Sequence, residues 1–285
     1  MRSVTLFAVI FFLALCVPAF SAIRAEAAEG ADAPYTRATR ISDVAGDPVF
    51  GNYGRLIFPV NRGYMSGETL GTLRLTWYSC IDPDKTVETA NYLKSRGAAG
   101  DTVFLEIYTE AEKRADARKR DTGLFVCRGG RGAPLAVCCA GGGFAYVGAM
   151  HDSFPHALEL SKMGYNAFAI IYRPGAQTAC EDLARAISVI FANADKLGVS
   201  TEGYSLWGGS AGARMAAWLG SHGPAAFGGA RLPRPAAVGM HYAGRANDAI
   251  ADPPTDAGHG ENRCRPSRAR TAPRLQTPHT APPRV

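Results

Sequence analysis

Three apolar runs separated by single helical patterns constrain the fold of this chain most. Leu135-Ala136-Val137-Cys138-Cys139-Ala140, Asn166 to Tyr172 and Tyr204 to Trp207 are short and mostly apolar, as strands buried on both faces are. After the first run, Ser153 can cap a helix running through Leu158 and Met163 to Gly164. After the second, Thr178 and Glu181 have capping-box spacing. Leu183, Ile187, Ile190, Ala194 and Leu197 then recur at steps of four and three before Gly198. Ala213 to Leu219 supplies good helix formers after the third run. Strands alternating with single helices need right-handed crossovers. The pattern therefore predicts a three-layer αβα sandwich with a mostly parallel sheet.

The third run ends in Gly208-Gly209-Ser210-Ala211-Gly212, a G-x-S-x-G strand-turn-helix. A serine on so tight a turn adopts strained backbone angles, and glycines two before and two after it let neighbouring backbone approach without a clashing Cβ. The first run opens into Gly141-Gly142-Gly143-Phe144. Three glycines after a strand expose backbone N–H groups, the donors that acyl transfer needs where a carbonyl oxygen becomes negative.

With these motifs, residues 123–245 resemble the α/β-hydrolase fold, within the esterase and lipase branch that has a Gly-Gly-Gly oxyanion loop. That branch includes small carbohydrate-ester and acetyl esterases. The matching residues are Gly141 to Phe144, Tyr172-Arg173 followed by Glu181-Asp182, and Gly208 to Gly212, and Ala140 stands where the commoner loop has histidine. The resemblance implies that Ser210 is the acyl nucleophile and that the N–H groups of Ala211, Gly142 and Gly143 stabilise the oxyanion. It implies a small-molecule or carbohydrate ester as substrate and no cofactor or metal. No Cys-x-x-Cys pair or histidine cluster points to a metal site either.

The family also activates its serine with a histidine oriented by a carboxylate, each on a loop after a further strand. One further strand is visible, Ala236 to Tyr242, and the two that would present the acid and the base are not. On this count the sheet is expected to be incomplete at its C-terminal end, with an open edge and apolar surface beside residues 236–242. His241 lies near a strand end, Asp252, Asp256, His259 and His279 lie in or beside a Pro-rich segment, and His151 and His156 follow the glycine loop. None stands at the family's base position. Beyond Asp256 the chain has prolines at 266, 273, 278, 282 and 283 and no aromatic residue. Such a segment buries too little surface to offset its ordering entropy. Its composition is that of a shifted reading frame in a GC-rich gene and equally of a natural disordered tail. A catalytically inert remnant of the same scaffold is therefore the alternative to an active serine hydrolase.

Arg2, the apolar stretch from Val4 to Phe20 and the small residues after it read as a secretory signal over residues 1–27, with cleavage after Ser21 or Ala27. An exported, periplasmic or secreted protein with no stable membrane insertion is expected. Residues 28–122 form an N-terminal extension with strand-like runs at Leu56-Ile57-Phe58, Leu73 to Tyr78, Val103 to Tyr108 and Leu124 to Cys127, and with a charged run from Glu110 to Arg120 read as a solvated connection. Residues 246–285 form the tail. The net charge of +6 resides in its arginines from Arg263 onward, so no nucleic-acid partner is expected. Adjacent Cys138 and Cys139 point to opposite faces of one strand and are expected to be buried small hydrophobes.

Overall fold

The computed structural model describes residues 33–78 and 80–242. The signal segment, the tail, Asp252, Asp256, His259 and His279 lie outside the described residues. Eight strands are described: β1 (Met65–Ser66), β2 (Arg74–Leu75), β3 (Phe104–Leu105), β4 (Gly123–Cys127), β5 (Pro134–Cys139), β6 (Asn166–Ile171), β7 (Ser200–Gly209) and β8 (Ala237–His241). The first two form a small antiparallel pair. The other six make one sheet in the order β3-β4-β6-β5-β7-β8. β4 is antiparallel to both its neighbours, and the remaining pairings are parallel.

The three apolar runs become β5, β6 and β7 at the centre of this sheet. β4 and β6 are buried along their whole length, and β5 is buried after Pro134. Side chains such as Phe168 and Val137, at 0% exposure, each contribute roughly 1.5–3 kcal/mol relative to exposure. Cys138 and Cys139 are likewise buried, with free thiols. The helices are α1 (Ile41–Ala45), α2 (Pro83–Ala98), α3 (Glu110–Ala115), α4 (Ser153–Lys162), α5 (Ala176–Ala192), α6 (Ala194–Leu197) and α7 (Ala211–His222). α4 packs on β4, β5 and β6 and against α2, while α7 packs on β5, β7 and β8 and against α5. This is an α/β-hydrolase fold: helices against a mostly parallel six-stranded sheet. Among the described residues β8 is an edge strand, and it leaves Val238 and Met240 exposed, with Tyr242 just beyond.

Several local expectations change. Leu56-Ile57-Phe58 is no strand, because Asp47 accepts the Val49 N–H and Pro48 opens a 3-10 segment over Pro48–Leu56. Its three apolar side chains are buried all the same, and an apolar run alone does not separate a strand from a turn. The runs at 73–78 and 103–108 shrink to β2 and β3. The charged run contains α3, opened by a capping box between Thr109 and Glu112, with Lys113 buried between Glu106 and Glu110. Thr178 and Glu181 do not cap α5. That helix starts directly after Gly175, and a clamp between Arg173 and Asp182 draws its first turns toward β6. It also breaks at Asn193, so α6 and the left-handed Gly198 complete what reads as one helix. Asp152, not Ser153, occupies the N-cap of α4.

The Arg173–Asp182 pair joins Tyr172-Arg173 to Glu181-Asp182. Asp182 is fully buried and accepts from the Arg173 N–H at 2.7 Å, from its guanidinium at 2.8 Å and from the Tyr108 hydroxyl at 2.6 Å. Removing one member of such a pair typically costs about 3–5 kcal/mol, because the other stays buried and uncompensated. Next along the chain, the Gly175 N–H donates to the Phe144 carbonyl at 2.8 Å. The clamp therefore also steadies the glycine loop.

Candidate active site

Ser210 stands between β7 and α7 with φ 50° and ψ −115°, a conformation that non-glycine residues rarely adopt. Holding it costs on the order of 1–3 kcal/mol, so the surroundings must over-determine it. They do so through backbone contacts. The Ser210 N–H donates to the His241 carbonyl at 3.1 Å, which ties the turn to the end of β8. A Cβ on Gly208 would run into the backbone of Gly212, and one on Gly212 would run into the carbonyls of Cys139 and Ala140. Both outer glycines of the motif thus answer to close approach, not to flexibility.

The glycine loop lies against this turn. A Cβ on Gly141 would sit 3.0 Å from the Ser210 Cβ and 3.2 Å from the Gly209 carbonyl. Gly142 (φ 134°), Gly143 (φ 60°) and Phe144 (φ 61°) all take positive φ, which turns the loop sharply after β5. Three anchors hold it. The Gly141 N–H donates to Asp152 Oδ2 at 2.7 Å, the Gly148 N–H donates to the Gly141 carbonyl at 3.0 Å, and the Tyr172 hydroxyl donates to the Ala140 carbonyl at 2.7 Å. Where the commoner loop carries histidine, Ala140 is therefore fixed through its backbone. Among the described residues, no acceptor takes the N–H of Gly142, Gly143 or Ala211. Free donors beside a serine hydroxyl are what a developing oxyanion requires.

Residues that the sequence reading passed over complete the site. The Asp152 side chain is fully buried, accepts from the Tyr242 hydroxyl at 2.6 Å, and has His156 Nδ1 3.3 Å from its other oxygen. Burial opposes its ionisation, but nearby His156 and the bonds from Tyr242 and Gly141 outweigh burial and hold the carboxyl below its ordinary range. The Tyr78 hydroxyl lies beside Ser210 at Gly141 and its ring meets Tyr242 edge-on at 6.2 Å, and burial raises its pKa. The Tyr78 and Tyr242 hydroxyls thus lie between Ser210 and Asp152. Tyr64, Trp77 and Tyr146 stack beside them, with centroids 4.9 Å apart for Tyr64 and Tyr146 and 5.3 Å for Trp77 and Tyr146. Trp77 lies over Gly143 and is 41% exposed, so it faces solvent next to the loop, while Tyr146 beneath it is buried. The three rings come from the N-terminal extension and the loop after β5, too far apart in sequence to be read together.

The histidines are packed elsewhere. Among the described residues no imidazole is hydrogen-bonded to Ser210. His241 stacks on His156 at 4.6 Å and faces Trp207 at 6.1 Å, and burial lowers its pKa. His151 is packed on the Tyr78 ring at 3.8 Å, with neither nitrogen hydrogen-bonded, and burial pushes its pKa down to about 4. An unfolded chain binds a proton there near pH 6.5 and the native chain does not. Stability carried by neutral His151 is therefore complete above pH 6.5 and lost as pH falls toward 4, by about 3 kcal/mol for this shift. His151→Phe, which keeps a flat ring against Tyr78, should flatten the fall in denaturation midpoint between pH 6.5 and 4. An unchanged pH profile would remove His151 as its source.

With this geometry in place, comparison with known proteins is informative. Residues 127–229 match the BD-FAE family model. BD-FAE is an α/β-hydrolase-type esterase domain, and the match contains the glycine loop, Asp152, the Arg173–Asp182 clamp and the serine turn. No curated protein matches the chain. Similar solved structures include the apo form of Thermogutta terrifontis esterase 2, at 24% identity and a TM-score of 0.32, covering 34% of this chain and 40% of that one. The butyrate-bound form has 22% identity and a TM-score of 0.35, covering 40% and 42%. The chain thus matches about two fifths of that esterase's length. Among the described residues no group of three or more His, Cys, Asp or Glu side chains could hold a metal ion, and no helix is long and apolar enough to cross a membrane.

Proposed function

We propose that the protein hydrolyses carboxylic esters through an acyl-enzyme at Ser210. The observation that carries this reading is a strained serine abutting a glycine loop in which the Gly142 and Gly143 N–H groups have no acceptor among the described residues. The ester carbonyl would lie between Ser210 Oγ and the N–H groups of Ala211, Gly142 and Gly143. Attack by Oγ moves the carbonyl electron pair onto oxygen, where those donors meet the new charge; collapse breaks the ester C–O bond, the proton given up by Oγ passes to the departing alkoxide to release the alcohol, and the acyl group stays on Ser210. Water then frees the acid by the same route. The raised pKa of Tyr78 keeps its hydroxyl protonated in the neutral range, so it serves to orient Ser210 and not as the base. An activated acyl ester should leave its acyl group on Ser210 and on no other residue.

The exposed Trp77 ring, backed by Tyr64 and Tyr146, supports a ring-bearing ester, in keeping with the carbohydrate esters that the sequence resemblance implies. The reading includes export. Mass spectrometry of the mature protein should find a new N-terminus near Ala22 or Ala28, whereas intact Met1 in a membrane fraction would argue for a retained anchor.

A further inference from the structure

A cavity lies at the opposite end of the sheet from Ser210. It occupies about 320 Å³ between the β4–β5 connection and the α6–β7 turn. It lies beside the start of β7, and Ser210 follows the end of that ten-residue strand, so about 30 Å separates the two. Arg96, Arg128, Arg131 and Lys196 line it, against Asp101 and Asp195.

The basic groups differ in what they already hold. Arg96 pairs with Asp101 at 2.8 Å, yet its Nε is buried without an acceptor. Arg128 gives one guanidinium N–H to the Leu197 carbonyl. Arg131 and Lys196 are exposed and have no acidic partner among the described residues. The connecting loop reads Arg128-Gly129-Gly130-Arg131-Gly132, and the buried Asn166 clamps it. Asn166 accepts the Gly129 N–H at 3.3 Å and donates to the carbonyls of Gly130 at 2.7 Å and Ala133 at 3.2 Å. Gly129 is required there, since a Cβ would strike the backbone of Gly164 and Tyr165. The clamp leaves the N–H groups of Gly130 and Arg131 without an acceptor among the described residues. A fixed loop with free N–H donors, unpaired cations and an orphaned buried guanidinium N–H has the chemistry of an anion cradle.

We propose that this cavity binds a tetrahedral oxyanion, phosphate or sulfate, either free or as a monoester. Arg131 and Lys196 supply charge, Arg128 a planar fork, and the Gly130 and Arg131 backbone the directional donors. The test is calorimetric titration of the full chain with inorganic phosphate in low-salt chloride buffer, repeated with sulfate and with glycerol 2-phosphate. Saturable binding at millimolar phosphate or below is expected. Arg131→Ala should weaken it about tenfold, and Arg131→Ala with Lys196→Ala about a hundredfold, with the melting temperature and ester turnover unchanged. Asp195→Asn should tighten it. Glycerol 2-phosphate binding as well as phosphate assigns the site to monoesters, and much weaker binding assigns it to the free ion. Absence of saturable binding, or binding that the double variant leaves unchanged, would overturn the proposal.

Discussion

Ser210→Ala is expected to lower turnover of short-chain esters by about ten-thousand- to million-fold, the range seen when a serine nucleophile is removed. The loss should fall on kcat, because alanine removes the attacking oxygen and leaves the stacked aromatic rings and the glycine loop in place. Stability provides a second readout. Alanine retains the Cβ that makes φ 50° costly, whereas glycine does not. Ser210→Gly should therefore be equally inactive yet more stable than Ser210→Ala, by roughly 1 kcal/mol or more. A Ser210→Ala protein that keeps its turnover would end the assignment, and equal stability of the two variants would remove the strain argument.

Gly142→Ala is the second large effect. Its Cβ would run into the Tyr146 carbonyl at a φ of 134° that alanine avoids, so the loop must move. Displaced donors no longer meet the oxyanion, and losing one such donor costs about a hundred- to thousand-fold in kcat. Gly164→Ala serves as the control. It also has positive φ (96°), with no neighbour within 4 Å of the added Cβ and no contact with the site. Stopped-flow and steady-state assays should find kcat depressed in Gly142→Ala and nearly unchanged in Gly164→Ala. Similar kcat in both would show that the loop does not serve the oxyanion.

The centre of the sheet was legible because β5, β6 and the second half of β7 are buried on both faces, and burial of that kind leaves mostly apolar runs in sequence. The serine turn was legible for a different reason. Its glycines answer to backbone clashes that recur wherever the turn does. The N-terminal segment was not, since its apolar residues are buried by short turns and 3-10 segments with no period of their own. Asp152 was missed because the adjacent Ser153 offered an ordinary cap, although an aspartate at a helix start soon after a glycine loop was the available signal. Tyr78 and Tyr242 reach the site through long-range contacts that leave no mark in local sequence.

The central claim is that Ser210 carries the acyl group, and the mass of the intact protein tests it most directly. After brief mixing of the full chain with an activated acetyl ester and acid quenching, the mass should rise by one acetyl group. Fragmentation should place that group within Gly208 to Gly212, and the Ser210→Ala protein should show no increase. An acyl group found on another residue, or an equal increase in Ser210→Ala, would contradict the account.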